Sequence, residues 1–163
     1  MQKQKTSLTE LTLVGLAMRT NNQDEMNPQT AKIGNKIAEY FEDQANHGIQ
    51  HRSKPGVTYC AYTEFESDEH GEYTYFIGEA VDSLDGQDLE NYKAITIPAG
   101  SYQKFTTEPG QMPNIVISAW QEIWQMNTDD FEGVRRYHTD FEIYDERAAN
   151  PNEAAVDIFI GLE

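Results

Sequence analysis

The chain has a single cysteine, Cys60, in 163 residues. A lone thiol excludes an internal disulfide framework, and no paired Cys or His spacing of the structural-zinc kind accompanies it. A reducing compartment suits such a chain. Positive charge is also scarce: 12 Lys and Arg stand against 28 Asp and Glu, a formal charge of −16. That balance repels polyphosphate backbones and attracts cations, so direct nucleic-acid binding is not expected. Long apolar runs are missing. The run LTLVGLAM, after the polar MQKQKTSLTE, is too brief and too poorly flanked for a signal peptide or membrane span. A soluble, cytoplasmic protein is expected. No serine-centred elbow, phosphate-binding glycine loop or dinucleotide fingerprint occurs, and no cofactor is expected.

What the chain does have is apolar and aromatic mass. A hydrophobic share of 38% with seven Phe, nine Tyr and two Trp supports a folded core, and the length fits one domain, residues 1–163. LTLVGLAMRT (11–20) reads as a strand. Pro28 after Asn27 marks a helix start, with Ile33, Ile37, Tyr40 and Phe41 on one face and an end near residues 46 to 48, where Gly48 suits a C-cap. VTYCAYTEF (57–65) and EYTYFIGEAV (72–81) read as strands around a DEHG turn. The order then repeats. KAITIPAGSYQKFT (93–106) is a strand with a bend expected at Pro98 and Gly100. IVISAWQEIWQM is a helix with Val116, Trp120, Ile123 and Trp124 on one face, and VRRYHTDFEIYDE (134–146) and EAAVDIFIGLE (153–163) are strands.

The halves also agree in register. Phe76-Ile77-Gly78 recurs as Phe159-Ile160-Gly161, an offset of 83 that carries the first helix face onto the second and Leu13 and Val14 onto Thr96 and Ile97. Two duplicated βαββ units, about 8–83 and 91–163, are the simplest explanation. They predict an α+β fold with an antiparallel sheet, a pseudo-twofold arrangement and a ligand groove between the halves. One step off that register, Cys60 and Tyr62 match Glu142 and Tyr144.

LVGLAMRT with NPQTAKIGNKI, EYTYFIGEAV, TIPAGSYQKF, AWQEIW, and DFEIYDER closing on VDIFIGL together resemble the GyrI-like, or AraC-type, effector-binding domains, integron-associated members included, over about residues 8 to 162. The resemblance implies a duplicated fold with a central aromatic-lined pocket. In many members one buried glutamate meets cationic, apolar ligands, and it corresponds here to Glu142. Regulators of the family carry a helix-turn-helix region ahead of this domain. Here the first strand begins almost at residue 8, so an autonomous transcription factor is not expected.

By alternation alone Glu142 shares a face with His138, Asp140 and Tyr144, and a solvated face is the simpler reading. The resemblance turns it inward, where a carboxylate is tolerable only if hydroxyls, water or a cation meet it. Trp120 and Trp124 suit either core or pocket. Tyr59, Tyr62, Tyr102 and Tyr144 are either strand core or the sides of an aromatic box. Met18 and Phe105 are ordinary strand residues by pattern, though methionine suits a pocket that adapts. His47 and His51 flank Gly48 with no third ligand nearby, so no metal site is expected. Cys60 reads as a small buried residue.

Three functions follow. The first is a non-enzymatic module binding a small molecule, in particular a lipophilic cation, at Glu142 and the aromatics. The second is hydrolysis of an electrophilic toxin, with Glu142 as general base and a pocket tyrosine holding the leaving group. The third is a protein inhibitor presenting acidic surface to a basic partner such as a topoisomerase.

Overall fold

In the computed structural model, which describes residues 1–42 and 48–163, the chain opens with a strand where only a polar tail was expected. Strand β1 (Gln2–Leu8) has no apolar alternation to betray it; it exists because β6 (Gly100–Thr106) offers it a free edge. The strands that follow are β2 (Leu11–Asn21), β3 (Thr58–Thr63), β4 (Glu72–Val81), β5 (Lys93–Ile97), β7 (Thr139–Tyr144) and β8 (Asp157–Gly161). Among the described residues there are four α-helices: α1 (Asn22–Glu25), α2 (Ile33–Glu42), α3 (Asn114–Trp124) and α4 (Thr128–Phe131). The expected α+β class and antiparallel sheet are borne out.

The eight strands form one sheet in the order β1-β6-β8-β7-β3-β4-β2-β5. Strands β1 and β2 stand six places apart in it, about 29 Å if the sheet were flat. Only Thr9 and Glu10 join them, and that link reaches about 10 Å. The sheet must therefore curl until its ends meet. The registers agree: Leu8 pairs with Gly100 and Leu11 with Ile97, so the ladder resumes past the gap without a slip. The segment 93–106 is accordingly one bent strand in two pieces. Its bend lies at Pro98, which has no N–H to give a ladder, and Gly100, whose φ of 150° favours glycine.

The repeat is present, with its correspondences corrected. Gly78 and Gly161 do match, but Gly15 pairs with Gly78 where Tyr102 pairs with Gly161. Leu13 and Val14 therefore answer to Gly100 and Ser101, not to Thr96 and Ile97. Likewise Ala61 opposes Phe76 where Phe141 opposes Phe159, so Cys60 answers to Asp140 and Tyr62 to Glu142. Cys60 and Glu142 are not symmetry mates; they face each other across the β3–β7 ladder, as Tyr62 and Asp140 do. The pseudo-twofold passes between Ala61 and Phe141.

Curling gives the sheet two buried faces. Leu13, Tyr59, Phe76, Tyr102, Phe141 and Phe159 fill one, with Phe141 and Phe159 stacked at 4.6 Å. The other is covered by the helices: Tyr40 on α2 packs over Val14, Tyr75 and Ile77, and Trp120 and Ile123 on α3 over Phe105, Ile158 and Ile160. Where β2 crosses β4 the backbones touch, and a Cβ at Gly15 would fall on the Ile77 carbonyl.

Several local expectations shift. The first helix starts at Ile33 rather than beside Pro28, because Glu25 caps it, its carboxylate accepting the Lys32 N–H and the Ile33 N–H. Phe41 lies off the buried face, 52% exposed. The helix end expected at residues 46 to 48 falls largely outside the described residues, as does His47. The strand expected over 134–146 is ordered as a ladder only from Thr139, since Tyr137 takes a φ of 52° that breaks the pleat. Helix α4 was not anticipated; Asn127 starts it with a capping box closed by Asp130.

Candidate functional site

Strands β3 and β7 turn their even-numbered residues toward the helices, which brings Cys60, Tyr62, Asp140, Glu142 and Tyr144 onto one face. Helices α2 and α3 stand over that face without meeting across it, and the space between them is a cavity of about 670 Å³. Ile33 and Ile37 wall one side, Val116, Trp120 and Trp124 the other, and Tyr62, Tyr73, Tyr75 and Tyr144 form the floor with Glu142. Met26, Ile117 and Trp124 line it while remaining open to solvent, so its rim is apolar.

Glu142 is 2% exposed. Its Oε2 accepts from Tyr62 Oη at 2.8 Å and Trp120 Nε1 at 2.6 Å, and its Oε1 accepts from Tyr144 Oη at 2.6 Å. All three donors are neutral. Burial raises the carboxyl above its ordinary range, and the donors, Tyr144 first, pull it partway back because they bond best to the ionised form. The same carboxylate, together with burial, holds the Tyr62 and Tyr144 hydroxyls well above their usual range, and burial does so for Tyr75. Tyr62 is the hinge of the aromatic floor, its ring 5.0 Å from Trp120, 5.5 Å from Tyr75 and 5.6 Å from Tyr73, edge-on to each.

The second acid on this face is treated differently. Asp140 is paired with Arg135 Nη2 at 2.8 Å and accepts the Gly161 N–H at 2.9 Å. Burial nevertheless raises it, with Arg135 as the main opposing influence. One buried acid is thus neutralised by the protein's own cation and the other is solvated only by dipoles. The symmetry mates Cys60 and Tyr62 carry no charge, so both acids belong to one half. Burial pushes the Cys60 thiol up, which leaves it a poor nucleophile.

Of the residues singled out from sequence, Glu142, Tyr144, Trp120, Trp124 and Tyr62 line the cavity. Tyr59 and Tyr102 lie on the opposite face, packed at 6.3 Å and 5.7 Å against Phe141, with Tyr102 donating to the Pro98 carbonyl. Their odd and even positions put them there once the sheet curls. Phe105 is buried beneath α3, and Met18 packs with the cluster under α2; neither reaches the cavity. Sequence reasoning passed over Tyr73, Tyr75, Phe65, Glu25, Glu69, Arg135 and Asp140 as lining residues. The pairing of Tyr62 with Tyr75 would have found the first two, since EYTYFIG places both tyrosines on one side of its alternation.

A cavity floored by tyrosines, walled by two helices and holding a buried carboxylate met only by neutral donors defines an effector-binding module. The chain belongs to the Cass2 family of integron-associated effector-binding proteins, whose pattern it matches over residues 6–162. It is similar to an integron cassette protein from the mobile metagenome of Vibrio cholerae, at 31% identity and a TM-score of 0.76 over 99% of this chain and 95% of that one. It is also 31% identical over 152 residues to YobU of Bacillus subtilis, named as a candidate transcriptional regulator, which spans 91% of this chain and 90% of that protein. The structure of SAV2435 bound to tetraphenylphosphonium shares the fold, at 19% identity and a TM-score of 0.75, with 100% and 94% of the two chains covered. The GyrI-like resemblance is thereby borne out. No helix among the described residues is long and apolar enough to cross a membrane.

Proposed function

We propose that the chain captures amphipathic organic cations in this cavity without transforming them, Glu142 supplying the charge and the aromatics the apolar area. The observation that carries the reading is the ionisable Glu142, 2% exposed and met only by neutral donors. Burying a lone ionised carboxylate costs several kcal/mol even after the protein relaxes around it. A delocalised cation offsets that cost twice: it is weakly hydrated, and it sits well against tyrosine and tryptophan faces. The tetraphenylphosphonium held by SAV2435, a protein of the same fold, is such a cation. Three acceptor positions of the carboxylate are already occupied, which suits a fixed electrostatic partner better than a base that must take a proton from water.

Trp120 and Trp124 both line the cavity, so their fluorescence reports its occupancy. Titration with tetraphenylphosphonium and with the neutral triphenylphosphine oxide, followed by fluorescence and calorimetry, tests the reading. The cation is expected to bind at least tenfold tighter. Equal affinity for the two, or no binding of either, refutes it.

A further inference from the structure

Helix α2 carries a glycine that the fold does not need. Gly34 is the second residue of that helix, its φ is not one that favours glycine, and a Cβ built on it would meet no atom within 4 Å. It therefore makes neither a left-handed turn nor a close backbone approach, the two uses that call for a missing side chain. Alanine would serve the helix at least as well. Yet Gly34 lines the cavity. A side chain left off a cavity wall is room for whatever enters.

The opposite wall gives that room its meaning. The offset of 83 that relates the two helix faces sets Gly34 against Ile117 and Ile37 against Trp120, and all four residues line the cavity. Helix α3 is thus the bulkier wall at both levels. It is also the wall that meets the acid: Trp120 Nε1 donates to Glu142 at 2.6 Å, while the other two donors, Tyr62 and Tyr144, come from the sheet and none from α2. A cation drawn to Glu142 is therefore confined on the α3 side and has its spare room on the α2 side.

Resting on the cation-binding reading above, we propose that Gly34 is the residue that sets how bulky a cation the cavity admits. With glycine there, the site takes an onium centre bearing four aryl groups, one of them seated against the α2 backbone at Gly34. Ile117 and Trp120 confine the others. A side chain at that position restricts the site to cations with fewer or flatter substituents. Glu142 selects charge, and Gly34 selects shape.

Tetraphenylphosphonium and methyltriphenylphosphonium share a centre and a charge and differ by one ring, so the ratio of their dissociation constants reads the seat for the fourth aryl group. Calorimetry on the wild type is expected to favour tetraphenylphosphonium about tenfold, the gain from burying one more ring. Gly34→Leu is expected to bring the ratio to about one by weakening tetraphenylphosphonium, with methyltriphenylphosphonium held within about threefold. Gly34→Ala, the smaller step, should lower the ratio about threefold and leave the melting temperature unchanged or raised, and it decides the question if the leucine variant does not fold. Asn35→Leu puts the same side chain on the exposed neighbour, which does not line the cavity, and should leave the ratio alone. Equal affinity of the two salts for the wild type, a ratio that survives both Gly34 substitutions, or an equal fall in both salts overturns the assignment. So does a ratio that falls as far in Asn35→Leu. If tetraphenylphosphonium binds and is weakened by Glu142→Gln while the ratio ignores Gly34, the cation reading stands and the shape filter falls. If neither salt binds the wild type, both fall together.

Discussion

Replacing Glu142 with glutamine removes a charge while nearly preserving shape, and the structure says what each consequence should be. The amide oxygen can take the place of Oε2 and accept from Tyr62 and Trp120, 2.8 Å and 2.6 Å away. The amide nitrogen then faces Tyr144, whose hydroxyl rotates from donor to acceptor. The second amide N–H and the Tyr144 O–H lose their acceptor, a cost that relief of the carboxylate's desolvation offsets. Thermal unfolding should show no loss of stability beyond about 1 kcal/mol. Ligand affinity should behave otherwise. A unit positive charge 4 Å from the carboxylate gains ~4 kcal/mol at an effective dielectric constant of 20. Loss of the cation's own hydration cancels about half of that, leaving ~2 kcal/mol, or about thirtyfold in Kd. Calorimetry on both proteins with tetraphenylphosphonium and triphenylphosphine oxide isolates the effect: the cation should weaken about thirtyfold and the neutral compound should be unchanged. An equal loss for both ligands would mean that the variant has damaged the shape of the cavity, and unchanged binding of the cation would refute the charge argument outright.

The remaining predictions follow from the same geometry. Because burial raises the Glu142 carboxyl, folding favours its protonated form, so its contribution to stability is greatest below the ordinary 4.5 and declines as pH rises through the folded value. Cation affinity runs the other way, increasing with pH across that window with release of a proton, which calorimetry in buffers of different ionisation enthalpy detects; the dependence should vanish in Glu142→Gln, although Asp140 is shifted in the same direction. Trp124→Ala removes a cavity wall that is 37% exposed, and should weaken cation binding about fivefold to tenfold with little change in melting temperature. Trp120→Phe deletes one of the three donors, and should raise the Glu142 pKa further, seen as a higher midpoint in the affinity profile. Arg135→Ala strands Asp140 as a buried unpaired acid and should cost about 3–5 kcal/mol of stability in denaturant unfolding.

The duplication, the order of elements and the acid in DFEIYDER were all legible in the sequence, because each depends on local pattern. The helix faces carried through wherever the 3.6-residue period governs burial, as at Tyr40, Trp120 and Ile123, which are buried. Alternation assigned Glu142 and Phe141 correctly to opposite faces of β7. What alternation cannot state is which of two faces is wet, and here neither is. A strand residue such as Glu142 reads as solvated only if its sheet is open on one side. Helices α2 and α3 cover that side, and the curl of the sheet encloses the other through β1–β6 contacts between residues nearly a hundred positions apart. The same long-range pairing turned Tyr59 and Tyr102 away from the cavity and brought Tyr73, Tyr75 and Arg135 to it. The sequence by itself therefore determined the units and the charged residue. Only the tertiary structure decided that Glu142 is dry, because Tyr62 from one half and Trp120 and Tyr144 from the other meet it only in the packed assembly, and that Asp140 has its own cation, because Arg135 reaches it past the break in the pleat at Tyr137.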